Sequence, residues 1–180
     1  MKLILLRHEK RYIDPGFFTS LTKDGLLNSN DLVDFIEYYD PNVIYSSPFL
    51  RTIQTIRPYA VQKNKKVRIE YSLYEYIHAE EFTKDNYMHH VTELNHDLFK
   101  DIIDNYEPII QPEDLKCKEN EEDIRKRVYH FIEILKERHN ENDTVLIVSH
   151  MSVLNMIKRY YDNKTTLESY IPMGSLTILV

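Results

Sequence analysis

The chain has 180 residues, of which 42% are hydrophobic and 29% are charged, a composition typical of one globular domain. The net charge of −6 argues against nucleic-acid binding, and no apolar run approaches the ~20 residues that a membrane-spanning helix needs. The single cysteine, Cys117, excludes an internal disulfide. The apolar run near the N-terminus is short and is followed at once by charged residues, unlike a signal peptide, so we expect a cytoplasmic protein.

Five segments of the chain predict β-strands. The apolar run at residues 2–6 predicts a buried central strand, and residues 43–45 and 67–69 predict two shorter ones. Residues 144–148 are the clearest strand in the sequence, and residues 175–180 predict a last one.

Two helices are predicted in the first third of the chain. The first begins after Thr22, whose side chain suits an N-cap. Apolar residues at helical spacing predict the side of this helix that faces the core, namely Leu32, Phe35, Ile36 and Tyr39. Ser47 as N-cap and Pro48 in the first turn predict the second helix, which Pro58 should kink or end.

The rest of the chain completes an alternation of strands and helices. Further helices are predicted over residues 120–139 and 152–161, and the irregular, tyrosine-rich residues 70–118 predict a small helical insertion that covers the top of the sheet. This alternation implies a three-layer α/β/α sandwich with a mainly parallel central sheet. We expect residues 1–180 to form a single domain in which residues 70–118 are the lid region.

Three of the predicted strands end in side chains that bind phosphate or carry protons. Arg7-His8 follows the first strand, Ser46-Ser47 ends the second, and Ser149-His150 ends the clearest one. Arg51 lies in the first turn of the helix after the second strand. Because the carboxyl ends of parallel strands lie at one edge of a sheet, we expect these side chains to converge there.

Such a cluster suits the binding and transfer of a phosphoryl group. Arginine binds phosphate oxygens through a planar fork, and its charge is not lost by titration. A neutral imidazole is a competent nucleophile, and neighbouring positive charge keeps it deprotonated. One histidine would attack phosphorus while the other binds the moving oxygens, and a nearby carboxylic acid must protonate the leaving alkoxide.

Six sequence blocks occur in an order that matches a known family. The blocks run from residue 3 to about residue 155 and comprise Leu5-Leu6-Arg7-His8, Leu21-Thr22-Lys23-Asp24-Gly25, residues 46–55, Leu73-Tyr74-Glu75, Glu119 with Asp123-Ile124 and Arg127-Val128, and Val148-Ser149-His150. Together they closely resemble the histidine phosphatase superfamily, the phosphoglycerate-mutase-like proteins.

The resemblance implies a phosphatase that hydrolyses a phosphate monoester through a phosphohistidine at His8. It implies that Arg7, Arg51 and His150 complete the phosphate site and that Glu75 donates the proton. The substrate would be a phosphorylated small molecule or a phosphoprotein. The resemblance implies no metal and no organic cofactor.

Several roles near this site stay open at the level of sequence. Possible substrate contacts are Lys10, Arg11, Ser149 and Met151. Glu70, Glu80 and Glu81 lie close enough to Glu75 in the chain to leave the identity of the acid open.

One position departs from the family pattern. Glu9 follows Arg7-His8 where the family usually has glycine, so it adds bulk and negative charge beside a phosphate site. Its side chain could point away from the site, or pair with Lys10 or Arg11. Two alternatives stay open: a phosphoglycerate-type mutase, and a low-turnover phosphate-binding or scaffold protein, which Glu9 and the open identity of the acid suggest.

Overall fold

The computed structural model describes residues 1–14, 16–78, 99–116 and 118–179. Its centre is a sheet whose strands, in chain order, are β1 (Lys2–Arg7), β2 (Val43–Ser46), β3 (Arg68–Ile69), β4 (Thr144–Ser149) and β5 (Leu176–Leu179). The order across the sheet is β3-β2-β4-β1-β5. Every pairing is parallel except that of β5 with β1, so the predicted mainly parallel sheet is confirmed.

Helices cover both faces of this sheet. The α-helices of the described residues are α1 (Lys23–Glu37), α2 (Leu50–Gln62), α3 (Glu121–Arg138) and α4 (Met151–Tyr161). Single 3₁₀ turns lie at Tyr71–Leu73 and Pro112–Asp114. None of the helices in this part of the chain has the length and hydropathy needed to cross a bilayer.

The hydrophobic core forms two layers that meet at β1. Ile4 and Leu6 pack with the apolar residues of α1 and α2, whereas Leu3 and Leu5 pack with those of α3 and α4. Successive residues of a strand point to opposite faces, so a strand buried on both faces must be apolar throughout. The apolar run of β1 thus joins the layers of the expected α/β/α sandwich.

Strand register brings the functional ends of the strands level. Arg7 at the end of β1 pairs with Ser149 at the end of β4. Ser46 at the end of β2 pairs with Val148 of β4. The residues that follow these three strands therefore leave the sheet side by side.

Helix α1 matches its predicted start but not its predicted face. The Thr22 side chain accepts a hydrogen bond from the Gly25 amide at 3.1 Å, which confirms the N-cap. Phe35 is 64% exposed, so its assignment to the core was wrong. The buried face is centred between Leu32 and Val33, and Phe35 lies to one side of it.

The predicted start of α2 is also wrong. The helix begins at Leu50, and its N-cap residue Phe49 makes no capping hydrogen bond through its side chain. The Ser47 hydroxyl shares a 2.9 Å hydrogen bond with His150 Nε2. Ser47, the predicted N-cap, therefore contacts a residue of the candidate site instead of capping α2.

Pro58 does not end α2, so of the two predicted outcomes, a kink or an end, the second is wrong. The helix continues through Pro58 to Gln62. The residues that flank the proline, Ile56, Tyr59 and Ala60, are buried in the core. Tertiary packing holds this turn although proline removes one backbone hydrogen bond.

The predicted insertion is only partly described. Within it, residues 70–78, 99–116 and 118 contain the two 3₁₀ turns and otherwise irregular backbone. Residues 79–98 and Cys117 lie outside the described residues, so a helical lid there stays a prediction.

Gly25 provides a test of how α1 packs against the loop after β1. A Cβ at this position would lie 2.2 Å from the backbone oxygen of Lys10. Alanine normally stabilises a helix interior by about 1 kcal/mol relative to glycine. Here we expect Gly25→Ala to lower the free energy of unfolding by about 1–3 kcal/mol, because backbone must move. Urea denaturation measures this change.

Asp31→Ala is the matched control, since Asp31 is an exposed residue of the same helix. This variant should differ from the parent by less than about 0.5 kcal/mol. A Gly25→Ala protein as stable as the parent would show that the close packing is not present.

Candidate active site

Four side chains meet at the carboxyl edge of the sheet. Arg7 ends β1 and His8 follows it, Arg51 comes from the first turn of α2, and His150 follows β4. The rings of His8 and His150 lie 5.3 Å apart, edge to face. His8, Arg51 and His150 are buried, and Arg7 is half-buried.

The His8 ring is fixed in one tautomer by backbone. Its Nδ1 lies 2.8 Å from the carbonyl oxygen of Glu9. A carbonyl only accepts hydrogen bonds, so Nδ1 carries the proton and Nε2 carries the lone pair. Burial, followed by the charge of Arg51, holds the pKa of His8 well below its ordinary value. The ring is therefore a neutral imidazole at neutral pH.

His150 is a second neutral imidazole. Burial and then the charge of Arg51 lower the pKa of His150 well below its ordinary value. Its Nε2 bonds to Ser47, and its Nδ1 lies 3.2 Å from Glu75 Oε2 without hydrogen-bond alignment. Because the ring is neutral, this second contact is a close approach rather than a salt bridge.

Arg51 supplies a buried positive charge. It donates from Nη1 to the Gly16 carbonyl at 2.9 Å, and its Nη2 lies 3.4 Å from Glu75 Oε2. The guanidinium lies 4.3 Å from the centre of the Phe49 ring. Burial lowers the pKa of Arg51 to about 10, so the group stays charged at neutral pH.

Arg7 approaches the same edge from β1. Its Nη1 donates to the carbonyl oxygen of Ile171 and lies 3.7 Å from the sulfur of Met151. Its Nε is buried and has no hydrogen-bond partner among the described residues. Burial lowers the pKa of Arg7. A bound anion would give this donor a partner.

Glu75 brings a carboxyl group to the mouth of the pocket. Its Oε2 faces Arg51 and His150, and its Oε1 accepts a 3.0 Å hydrogen bond from the Tyr76 amide. Its side chain is 18% exposed, which leaves it open to water. The contacts place this carboxyl group beside the two groups that would hold a phosphate.

The neighbouring carboxylates are placed differently. Glu70 is fully buried, and its oxygens accept hydrogen bonds from Ser72, the Tyr106 hydroxyl and the Ile109 amide. Glu80 and Glu81 lie outside the described residues. Of the described carboxylates among these candidates, Glu75 is the one in contact with the pocket.

A buried ion pair holds the segment that carries Glu75. Arg127 of α3 binds both oxygens of Glu119 at 2.5 and 2.7 Å. The same guanidinium donates to the carbonyl oxygens of Ser72 at 2.7 Å and Glu75 at 3.4 Å. From the sequence alone, Arg127 is identified only within a block that resembles the family and is assigned no role, because contacts to distant backbone leave no local sequence pattern.

The predicted substrate contacts have different surroundings. Ser149 is fully buried, and its hydroxyl donates to the Leu73 carbonyl at 2.9 Å, so it holds the acid segment. Arg11 donates to the carbonyls of residues 12–14 on the exposed rim. Lys10 is exposed. Met151 lies against Arg7 at the start of α4.

Glu9 is buried beside the pocket without an ion pair among the described residues. It is 5% exposed. Its Oε2 accepts hydrogen bonds from the Lys10 amide at 3.0 Å and from Asn28 Nδ2 at 3.2 Å. Gly174, at a φ of 72°, lies against Oε1, and a Cβ there would come within 1.8 Å of it. The carboxylate is thus held by α1 and the Gly174 loop rather than by the site arginines.

The arrangement suits an anion with tetrahedral oxygens. Two arginines supply charge and forked donors, and two neutral imidazoles supply a nucleophile and a further donor. No group of three or more His, Cys, Asp or Glu side chains in the described ranges is arranged to hold a metal ion.

Comparison by sequence finds one family. A family model described as the histidine phosphatase superfamily, branch 1, matches residues 7–179. No curated protein matches the chain in sequence.

Comparison by structure finds proteins of the same fold. The α-ribazole phosphatase of Shigella flexneri is 22% identical, with a TM-score of 0.68 over 99% of this chain and 89% of that chain. YhfR of Bacillus stearothermophilus is 22% identical, with a TM-score of 0.70 over 98% and 89% of the two chains. A mycobacterial glucosyl-3-phosphoglycerate phosphatase is 16% identical, with a TM-score of 0.69 over 99% and 89%. These likenesses confirm the expected fold class.

The lowered histidine pKa values make stability depend on pH. As pH falls through the usual 6.5, the unfolded chain takes up protons at His8 and His150 that the folded chain does not bind. We therefore expect the free energy of unfolding to fall on the acid side of this pH, by up to about 1.4 kcal/mol per pH unit for each histidine. Urea denaturation across this range measures the slope.

His8→Asn tests the assignment, since it removes one of the histidines whose pKa is lowered. The slope below the usual histidine pKa should become shallower than in the parent. An unchanged slope would mean that His8 titrates alike in the folded and unfolded chains.

The contact between Glu9 and Gly174 predicts that the two positions are coupled. Gly174→Ala should destabilise the parent through both the positive φ and the clash with Glu9. In a Glu9→Ala background the clash is gone, so we expect the cost of Gly174→Ala to be smaller by about 1–3 kcal/mol. Urea denaturation of the four proteins gives this coupling energy. Additive effects, within about 0.5 kcal/mol, would contradict the placement of Glu9.

Proposed function

The chain belongs to the histidine phosphatase superfamily, and on that premise we propose that it hydrolyses phosphate monoesters through a phosphohistidine on His8. The observation that carries the proposal is the state of the His8 ring. Its Nδ1 is held by the Glu9 carbonyl, its pKa is low, and it lies beside a second imidazole. A neutral nucleophile is thus ready without first losing a proton.

In the first step, His8 Nε2 attacks phosphorus and the bond from phosphorus to the ester oxygen breaks. Arg7 and Arg51 hold the non-bridging oxygens and stabilise the charge on them. With Ser47 donating to Nε2 of His150, the His150 proton sits on Nδ1, which donates to a further oxygen. Glu75 acts as the general acid and gives a proton to the leaving oxygen.

The phosphohistidine carries a positive imidazolium ring. Its Nδ1–H still donates to the Glu9 carbonyl, and that hydrogen bond strengthens as the ring becomes charged. The backbone contact that fixes the tautomer in the first step therefore also stabilises the intermediate.

In the second step, the Glu75 carboxylate takes a proton from water, and the water oxygen attacks phosphorus. The bond from phosphorus to Nε2 breaks, so inorganic phosphate leaves and His8 returns to its neutral form. The partial exposure of Glu75 supports this role, because water reaches the carboxyl group from the mouth of the pocket.

Hydrolysis is favoured over the two alternatives. A mutase must exclude water while its phosphorylated intermediate is bound, whereas Glu75 is open to water in this structure. A low-turnover binding protein was suggested by the carboxylate of Glu9. That carboxylate is engaged by Asn28 and the Lys10 amide, so it does not compete with phosphate for the arginines.

His8→Ala should lower the hydrolysis of an aryl phosphate by at least about a thousandfold, because the nucleophile is lost. Rapid quenching of the parent with a labelled substrate should trap an acid-labile phosphoprotein that the variant does not form. Wild-type turnover by His8→Ala would refute the mechanism.

Glu75→Gln should lower kcat for an ester with a poor leaving group by about 10²–10⁴-fold, because the proton donor is lost. The effect should be smaller for an aryl ester, whose leaving group needs no proton. The matched control is Glu113→Gln, since Glu113 is an exposed glutamate away from the pocket. Equal losses for both esters would assign Glu75 a structural role.

Product analysis of the parent with 3-phosphoglycerate separates the two reaction types. Release of inorganic phosphate supports the phosphatase, and phosphoryl transfer supports the mutase.

A further inference from the structure

A cleft of about 630 Å³ lies beside the phosphate pocket. Met151 belongs to both, since it lines the cleft and its sulfur lies 3.7 Å from Arg7 Nη1. Tyr76, the residue after Glu75, lines the cleft as well. The cleft therefore adjoins the phosphate pocket close to Glu75, the group proposed to protonate the ester oxygen.

We propose that this cleft binds the leaving group of the substrate, and that the leaving group is an uncharged alcohol with a planar ring and several hydroxyl groups, of the nucleoside class. The inference rests on the proposed function, since it assigns the part of the substrate that phosphate release leaves behind. The size agrees, because small-molecule sites usually enclose about 300–1,000 Å³.

A stacked pair of rings on the wall of the cleft favours a planar ligand. The rings of Tyr76 and His78 lie 4.8 Å apart and are inclined by only 21°. Both residues line the cleft. A flat ring placed on such a pair gains stacking energy and buries apolar surface on both partners.

Small polar side chains on the same cleft favour hydroxyl groups in the ligand. Ser152, Asn163 and Thr165 line it, and within the part of the chain that the structure describes their side chains make no hydrogen bond. Their hydroxyl and amide groups can donate and accept. A sugar ring presents groups of the same two kinds.

The charge of the cleft argues against a second anionic group on the substrate. Arg159 is the arginine among the lining residues, and it is paired with Glu121. Glu168 adds a negative charge to the lining. A carboxylate or a second phosphate would therefore meet no unpaired cation there, which disfavours phosphoglycerate and sugar bisphosphates.

Steady-state kinetics on a matched set of esters tests the proposal. The full chain should hydrolyse adenosine 5′-monophosphate with a kcat/KM at least about tenfold above that for glycerol 2-phosphate, which has hydroxyls but no ring. 3-Phosphoglycerate should be the poorest of the three. The opposite order would overturn the proposal.

Variants of Tyr76 separate stacking from a general effect on the site. Tyr76→Ala should lower the ratio of kcat/KM for the nucleotide to that for glycerol phosphate by about tenfold. Tyr76→Phe keeps the ring and should keep the ratio. Tyr38→Ala is the control, because Tyr38 is 83% exposed at the end of α1, and it should leave the ratio unchanged.

The outcomes distinguish this inference from the proposed function. If His8-dependent hydrolysis is observed but Tyr76→Ala leaves the ratio unchanged, the leaving-group site is refuted and the phosphatase stands. If no ester is hydrolysed, the phosphatase is refuted, and calorimetry with adenosine alone then tests whether the cleft binds a nucleoside. Binding that weakens about tenfold in Tyr76→Ala supports the cleft, and absence of binding by the parent overturns it.

Discussion

The desolvation of positive charge at the carboxyl edge of the sheet is the constraint on which this site depends. Arg51 is fully buried, next to the ring of Phe49. Its charge is a leading cause, after burial itself, of the low pKa of His8 and of His150. The burial of this positive charge, which is costly in itself, therefore also keeps both imidazoles neutral. A bound dianion would offset the charge of the arginines, whereas burial, the largest cause of the low pKa of His8, would still favour the neutral ring.

Backbone carbonyls do much of the orienting in this pocket. The Gly16, Ile171 and Glu9 carbonyls accept from Arg51, Arg7 and His8 respectively. A carbonyl orients a donor without adding a full negative charge, so the pocket keeps its attraction for phosphate. Of the described carboxylates nearby, Glu75 lies against Arg51. Glu119 neutralises Arg127, which holds the segment of Glu75.

The sequence predicted the parts of the structure that follow from local pattern and missed those that follow from distant contacts. Alternating apolar segments gave the strands and the sheet, and the parallel arrangement placed Arg7, His8, Arg51 and His150 at one edge. The prediction that Ser47 caps α2 was wrong, because its hydroxyl is hydrogen-bonded to His150, which lies 103 positions away along the chain. Of the kink or end expected at Pro58, the end did not occur, because packing of the same helix outweighs one lost hydrogen bond. The hydrogen bond from Arg127 to the Glu75 carbonyl joins residues 52 positions apart, so no local sequence pattern predicts it.

Glu9 illustrates how a departure from a family pattern is accommodated. The family usually has glycine after Arg-His, where backbone must approach closely. In this chain Gly174, on the loop before β5, provides the room instead: it has no Cβ where Glu9 Oε1 lies, and its amide donates to the carbonyl oxygens of Arg7 and His8. The carboxylate gains Asn28 of α1 as a partner, and the Glu9 amide donates to Thr55 of α2. The residue whose carbonyl orients the nucleophile is therefore tied to three separate elements, to α1 and the Gly174 loop through its side chain and to α2 through its backbone.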